Sequence, residues 1–96
     1  MSSFTYEFAY TQKFLRDVKK IKKKHFDLSR LDQVLHDLAD YNSALLKRKY
    51  RNHWWKGRWS KYEELHVDAD RLLVYKRDKN RTILTLMTTG SHGQTL

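Results

Sequence analysis

The chain contains no cysteine and no proline, and it has only three glycines. Without cysteine there are no disulfides, no thiolate metal sites and no cysteine nucleophile. That is compatible with a reducing cytosol, and a cytoplasmic location is expected. The scarcity of proline and glycine predicts mostly regular structure with few sharp loops. No apolar run approaches the roughly 18 residues that span a membrane. The segment "MSSFTYEFAY" lacks a basic stretch followed by an apolar run and does not read as a secretory signal. Acidic side chains are the minority charge. Eleven Asp and Glu face twenty Lys and Arg, leaving a formal net charge of +9. Such a field favours polyanions, because basic groups displace the counterions condensed on phosphates. The hydrophobic fraction of 40% and the aromatic fraction of 14% argue against disorder. A chain of 96 residues is expected to form one domain, residues 1–96, around one modest core.

Phe4, Tyr6 and Phe8 alternate with Thr5, Glu7 and Ala9, which predicts a short strand over 4–10. Thr11 is placed to cap the next element. Phe14, Val18, Ile21 and His25 then recur at helical spacing, with Lys13, Arg16, Lys20, Lys23 and Lys24 largely off that line. Ser29 and Asp32 form a capping pair for a second helix marked by Leu31, Val34, Leu35, Leu38, Tyr41 and Leu45. Two helices joined so closely predict an antiparallel hairpin. "KRKYRNHWWKGRW" is basic, aromatic and aperiodic, and reads as a loop. A strand is expected over 59–67, a turn at "DAD", an interior strand at "RLLVYKR", a turn at "DKN" and another interior strand at "RTILTLMTT". The order is β-α-α-β-β-β. It predicts an α+β domain in which an antiparallel sheet packs against an N-terminal helical hairpin.

Three of the five histidines lie in the C-terminal half: His53 in the aromatic loop, His66 near a strand end and His92 after the last strand. If "DAD" closes a hairpin, Asp70 begins the strand that pairs with that of His66, and the two are near neighbours across the ladder. On one extended strand His66, Asp68 and Asp70 would point the same way, as metal ligands do. The turn breaks that alignment, and no HExxH spacing occurs, so no metal or other cofactor is expected. Read singly, His66 is a surface strand residue, Asp68 and Asp70 are turn residues, and His53 decorates a loop. His25 and His36 lie on helices and receive no chemistry; His25 edges the core-facing stripe.

Taken together, "HWWKGRWSKYEELHVDADRLLVYK" and the later "TTGSH" resemble the YafQ branch of the RelE superfamily, toxins of bacterial type II toxin–antitoxin systems. The matching positions are His53, Gly57 and Trp59; His66, Val67 and Asp70; Tyr75; and Thr89, Gly90, Ser91 and His92. The resemblance extends over essentially the whole chain. It implies a RelE-like fold and a ribosome-dependent, metal-independent messenger-RNA endonuclease. In such enzymes the RNA 2′-hydroxyl attacks the adjacent phosphate, giving a 2′,3′-cyclic phosphate and a free 5′-hydroxyl. It implies catalytic roles for His53, His66, Asp70 and His92. Imidazoles suit this chemistry because one ring can take a proton while another gives one near neutral pH. Asp70 is then base or histidine orienter, His92 the acid, and His53 and His66 share base and phosphate-binding roles.

The partners implied are a cognate antitoxin of ribbon-helix-helix type, the ribosome and its messenger RNA, with no membrane and a monomeric free toxin. Candidate RNA contacts are Arg71, Lys56, Lys61, Lys20, Lys23 and Lys24. Trp54 and Trp55 are further candidates for RNA or antitoxin contact; Trp59 reads as structural. The chain departs from the family pattern at several positions. Thr88 stands where an arginine is usual, Ala69 for a proline, Arg71 for a tryptophan and Leu96 for an aromatic. Lys61 and Glu63 replace a glycine and an arginine. Arg71 is the expected source of the cation missing at Thr88. The alternative reading is a non-catalytic basic RNA-binding module on the same fold; a metal-dependent hydrolase is the third.

Overall fold

The structure is a computed structural model and describes residues 5–24 and 27–91. Phe4, His25 and His92 therefore lie outside the described residues. Strand β1 spans Glu7–Tyr10. Thr11 ends it and caps helix α1, Gln12–Lys23, its hydroxyl oxygen accepting from the Phe14 N–H at 3.0 Å. The same hydroxyl donates toward the carbonyls of Leu86 and Met87, at 3.0 and 2.8 Å. One side chain thus fixes where the strand stops, where the helix starts and what both lie against. Phe14 and Ile21 face the core as their spacing predicts, and Asp17 is buried beside them. Lys20, Lys22 and Lys23 in the last turn complement the negative end of the helix dipole.

The second predicted helix is two. Helix α2 runs Ser29–Ala39 and helix α3 runs Ser43–Tyr50. Tyr41 between them is left-handed, with φ 44°, and the Asn42 side chain caps α3 by accepting from the Leu45 N–H at 3.1 Å. The apolar spacing carries straight through the break, because Leu38 and Leu46 both reach the core fully buried. The pairing of Ser29 with Asp32 does not form the α2 cap. The N-cap position is Leu28, which offers no side-chain cap, and Asp27 before it satisfies the first helical residue, accepting from the Ser29 N–H at 2.9 Å and from its hydroxyl at 2.8 Å.

Four more strands follow: β2, His53–Trp54; β3, Tyr62–His66; β4, Arg71–Asp78; and β5, Ile83–Ser91. A single 3₁₀ turn, Gly57–Trp59, separates β2 from β3. The sheet order is β1-β5-β4-β3-β2. Strands β3 to β5 form the expected antiparallel meander; β2, in the stretch expected to be a loop, adds a further antiparallel strand to it, and β1 joins β5 in parallel, making the sheet mixed. Leu65, Leu73, Tyr75, Leu84 and Leu86 pack against Phe14, Leu31, Val34, Leu38, Leu46 and Tyr50, so the helices cover one sheet face.

Two polar clusters tie helices to sheet. The Glu63 carboxylate is fully buried. Its Oε1 accepts from the Tyr41 hydroxyl and from Asn52 Nδ2 at 2.9 Å, with the Tyr75 hydroxyl 3.1 Å away. Its Oε2 faces Arg77 Nε at 3.7 Å. The second cluster closes the β5 edge beyond the end of β1. Asp17 accepts from the Thr88 hydroxyl at 2.5 Å and the Thr89 N–H at 3.2 Å, and pairs with Lys13. Asp17→Ala should leave the buried Thr89 N–H unpaired and cost about 1–3 kcal/mol. Urea unfolding should show a lowered midpoint at an unchanged denaturant slope.

Candidate functional site

Alternation along β3 decides the site. Glu63 and Leu65 point at the helices, so Glu64 and His66 point to the opposite, open face. β2 pairs His53 with Glu64 and Trp54 with Glu63. His53 therefore joins Glu64 and His66 on the open face, although thirteen positions separate the two histidines in the chain. The imidazole centroids lie 6.3 Å apart with their planes inclined at 39°.

Each side chain is held by a neighbour. Arg51 ends α3 in the left-handed region, φ 56°, a conformation unusual for a side chain this large. That turn presents its carbonyl to His53 Nδ1 at 2.9 Å. With Nδ1–H donating there, Nε2 is the nitrogen offered to Glu64, whose Oε2 is 3.4 Å away. The other carboxylate oxygen, Oε1, accepts from the Trp55 indole N–H at 2.9 Å. Trp55 is anchored in turn by its backbone N–H to Tyr62, at 3.0 Å, and its ring leans on the Tyr62 ring. One nitrogen and one oxygen, from His53 and Glu64, thus point into the same space beside His66. His53, Glu64 and His66 offer ligand atoms that all lie within 4.8 Å of one another.

The hairpin after His66 differs from expectation. β4 begins at Arg71, and the partner of His66 is Leu72, not Asp70. Asp70 is exposed in the turn over 67–70, because Asp68 organises that turn. Asp68 Oδ1 accepts from the backbone N–H groups of both Asp70 and Arg71 at 3.0 Å, which is Asx-turn chemistry. Its Oδ2 receives Arg71 Nε at 2.8 Å and Nη2 at 2.5 Å. The Arg71 hydrogen bond, aided by the turn N–H groups against a partial burial cost, holds the Asp68 carboxyl below its ordinary value. Asp68 is thus the turn residue that its place in "DAD" indicates, and Asp70 follows the site histidine without pairing across the ladder.

The expected source of the missing cation also changes. Arg71 alternates with Leu73 and Tyr75 on the helix side of β4. It reaches the Asp27 carbonyl at 3.5 Å in addition to Asp68. Thr88 is buried and hydrogen-bonded to Asp17, and the cation beside it is Lys13, whose Nζ donates to the Thr88 hydroxyl at 3.0 Å. Lys56 and Lys61 are exposed on either side of the 3₁₀ turn. Lys20 and Lys23 are exposed on α1 and Lys24 at its C-cap; with the exposed Arg16, Lys19 and Lys22 they make a basic outer face. Trp54 is half-exposed with the Arg77 guanidinium 6.0 Å from its ring, whereas Trp55 is committed to Glu64. Glu64 is the residue that the motif spacing missed. Its signal was the strand period alone, two positions before His66 on the same face.

Residues 6–96 match the family model described as the bacterial toxin of the type II toxin–antitoxin system, YafQ. The mRNA interferase toxin YafQ of Escherichia coli strain K12 is 33% identical over 84 residues, covering 86% of this chain and 87% of that protein. In the crystal structure of the E. coli DinJ–YafQ toxin–antitoxin complex, the matching chain is 29% identical at a TM-score of 0.79, covering 93% of this chain and 94% of that one. A metal-bound toxin from Helicobacter pylori is 34% identical at a TM-score of 0.83, covering 95% and 99%.

The Asp68–Arg71 contact predicts a pH signature. A carboxyl lowered in the folded state contributes stability above its unfolded value, near 3.8, and loses it as pH falls through the folded value. The stability gap between wild type and Asp68→Asn should therefore be full at neutral pH and should close as the solution is acidified below 3.8. Urea titrations at a series of pH values would measure it.

Proposed function

The chain belongs to the YafQ family of bacterial type II toxin–antitoxin toxins, and from that premise we propose that it is an endoribonuclease that cleaves messenger RNA on the ribosome. The observation that carries this reading is the convergence of His53, Glu64 and His66 on the open sheet face. Cleavage uses the RNA's own 2′-hydroxyl as nucleophile. That oxygen loses a proton as it attacks phosphorus, and the departing 5′-oxygen gains one. The products are a 2′,3′-cyclic phosphate and a free 5′-hydroxyl. His53, Glu64 and His66 share the removal of the first proton and contact with the phosphate, and His92 delivers the second. Glu64 stabilises and orients the adjacent His53 ring, as a carboxylate does in other acid–base sites. Asp70, exposed in the turn that follows His66, orients the scissile segment. Lys56 and Lys61 hold the flanking backbone.

The basic face of α1 suits ribosomal RNA, since phosphate contacts grip without reading sequence. By the analogy of the DinJ–YafQ complex, an acidic antitoxin of ribbon-helix-helix type silences the toxin, which is monomeric when free and acts in the cytoplasm.

Purified protein incubated with translating ribosomes and messenger RNA should cleave with chelator present. His53→Ala and His66→Ala should each lower the cleavage rate by roughly 100-fold or more, within the range of general acid–base effects. RNA that binds but stays intact would support the non-catalytic module instead. Reversing charge at Lys20, Lys23 and Lys24 should weaken ribosome association and flatten its dependence on salt, with the fold retained by circular dichroism. An unchanged salt slope would assign the grip to another surface.

A further inference from the structure

Two imidazoles and a carboxylate that converge for proton transfer also form a recognisable donor set for a metal. We infer that His53, Glu64 and His66 constitute a binding site for a divalent transition cation of the zinc type, and that its occupation silences RNA cleavage. The first half stands on geometry alone; the second rests on the function proposed above.

A tetrahedral zinc centre holds its nitrogen and oxygen ligands at about 2.0–2.2 Å, which sets neighbouring ligand atoms about 3.3–3.5 Å apart. His53 Nε2 and Glu64 Oε2 already lie 3.4 Å apart. All three ligand atoms fall within 4.8 Å of one another. The supporting contacts are those that metal ligands require. Metal-binding histidines commonly donate their second ring N–H to a carbonyl or carboxylate, which fixes the tautomer and aims the other nitrogen at the metal. Arg51 supplies that carbonyl to His53 Nδ1. Trp55 occupies Glu64 Oε1 and leaves Oε2 for the metal. The ligands sit on paired strands, with His53 and Glu64 directly opposite one another.

The donor set selects the metal. Imidazole nitrogen suits Zn²⁺, Ni²⁺, Co²⁺ and Cu²⁺, whereas Mg²⁺ prefers an oxygen shell and retains its waters. Magnesium, which accompanies every ribosome, should therefore leave the site alone. Three protein ligands leave a fourth position for water or a phosphate oxygen. A cation bound to the imidazole lone pairs removes both rings from proton transfer. The toxin would then be held inactive by a metal that its chemistry does not need.

The test is isothermal titration calorimetry of Zn²⁺, and separately Mg²⁺, into metal-free protein. One Zn²⁺ per chain and no Mg²⁺ uptake at the same concentrations are expected. His53→Ala, Glu64→Gln and His66→Ala should each weaken Zn²⁺ binding at least 10-fold. His36→Ala, an exposed histidine on α2, should leave it unchanged. Circular dichroism would confirm that each variant is folded. Co²⁺ offers a second readout, a visible spectrum of low-coordinate imidazole ligation that Zn²⁺ displaces. Zn²⁺ binding that survives in the folded His53→Ala/His66→Ala double variant would overturn the site. In the ribosome assay, stoichiometric Zn²⁺ should suppress cleavage and a chelator should restore it. Full-rate cleavage by the zinc-loaded protein would overturn the silencing. A chain that binds Zn²⁺ through this triad yet cleaves RNA in no metal state would support the site and count against the function proposed above.

Discussion

Glu63 buries its carboxylate completely, and a charge withdrawn from water in this way is tolerated only where other groups replace its hydration. Those groups come from three separate segments. Tyr41 reaches in from the α2–α3 turn, Asn52 from the α3–β2 link, and Tyr75 and Arg77 from β4. Burial, followed by the influence of Glu63, pushes both tyrosine hydroxyls above the ordinary phenol range, so they stay donors. The Arg77 guanidinium lies 3.9 Å over the Tyr41 ring, which seals the cluster from above. The break between α2 and α3 makes sense in this light. A continuous helix through Tyr41 would not carry its hydroxyl to Glu63 in the same way, and Asn42 lowers the cost of restarting.

The same constraint shapes the site by alternation. With Glu63 committed to the helix side, Glu64 is committed to the open side, and β2 needs only two paired residues to bring His53 opposite it. The basic surface is organised separately. Helix α1 takes over the β5 edge where β1 ends, through Thr11 and Asp17. Its buried stripe faces inward, and its lysines remain on the outer side. The corner of His53, Glu64 and His66 and the basic helix are therefore carried by opposite edges of one sheet, each fixed by its own polar anchor.

Much of this was legible in the residues. The periodicity of Phe14 to Ile21 gave α1, and the continuous apolar runs gave β4 and β5. That His53 and His66 share one site came from the family resemblance and not from their spacing; the structure brings their rings to 6.3 Å. Local apolar patterning could not reveal the α2–α3 break, because Leu38 and Leu46 keep the helical spacing across it. Nor could it show the parallel pairing of β1, which depends on how the chain returns after the helices. Asp70 was misplaced because "DAD" offers two equivalent turn carboxylates. The choice between them was settled by Arg71, which pairs with Asp68. Glu64 looked like an ordinary surface acid until β2 supplied its partner.

Adjacent carboxylates at Glu63 and Glu64 serve opposite sides of one strand, and that limits how the gene encoding this chain can change in length. A single-residue insertion or deletion between Tyr62 and His66 would slide β3 by one step. Glu64 or the His66 ring would turn toward the aliphatic interior, while the network of Tyr41, Asn52 and Tyr75 would lose the anion it encloses. The fold and the His53–Glu64–His66 arrangement would fail together, leaving no drifted intermediate that folds without the site. Length variation among relatives of this chain should accordingly collect in the 3₁₀ segment before Tyr62 and in the β4–β5 turn, and should spare the five residues of β3.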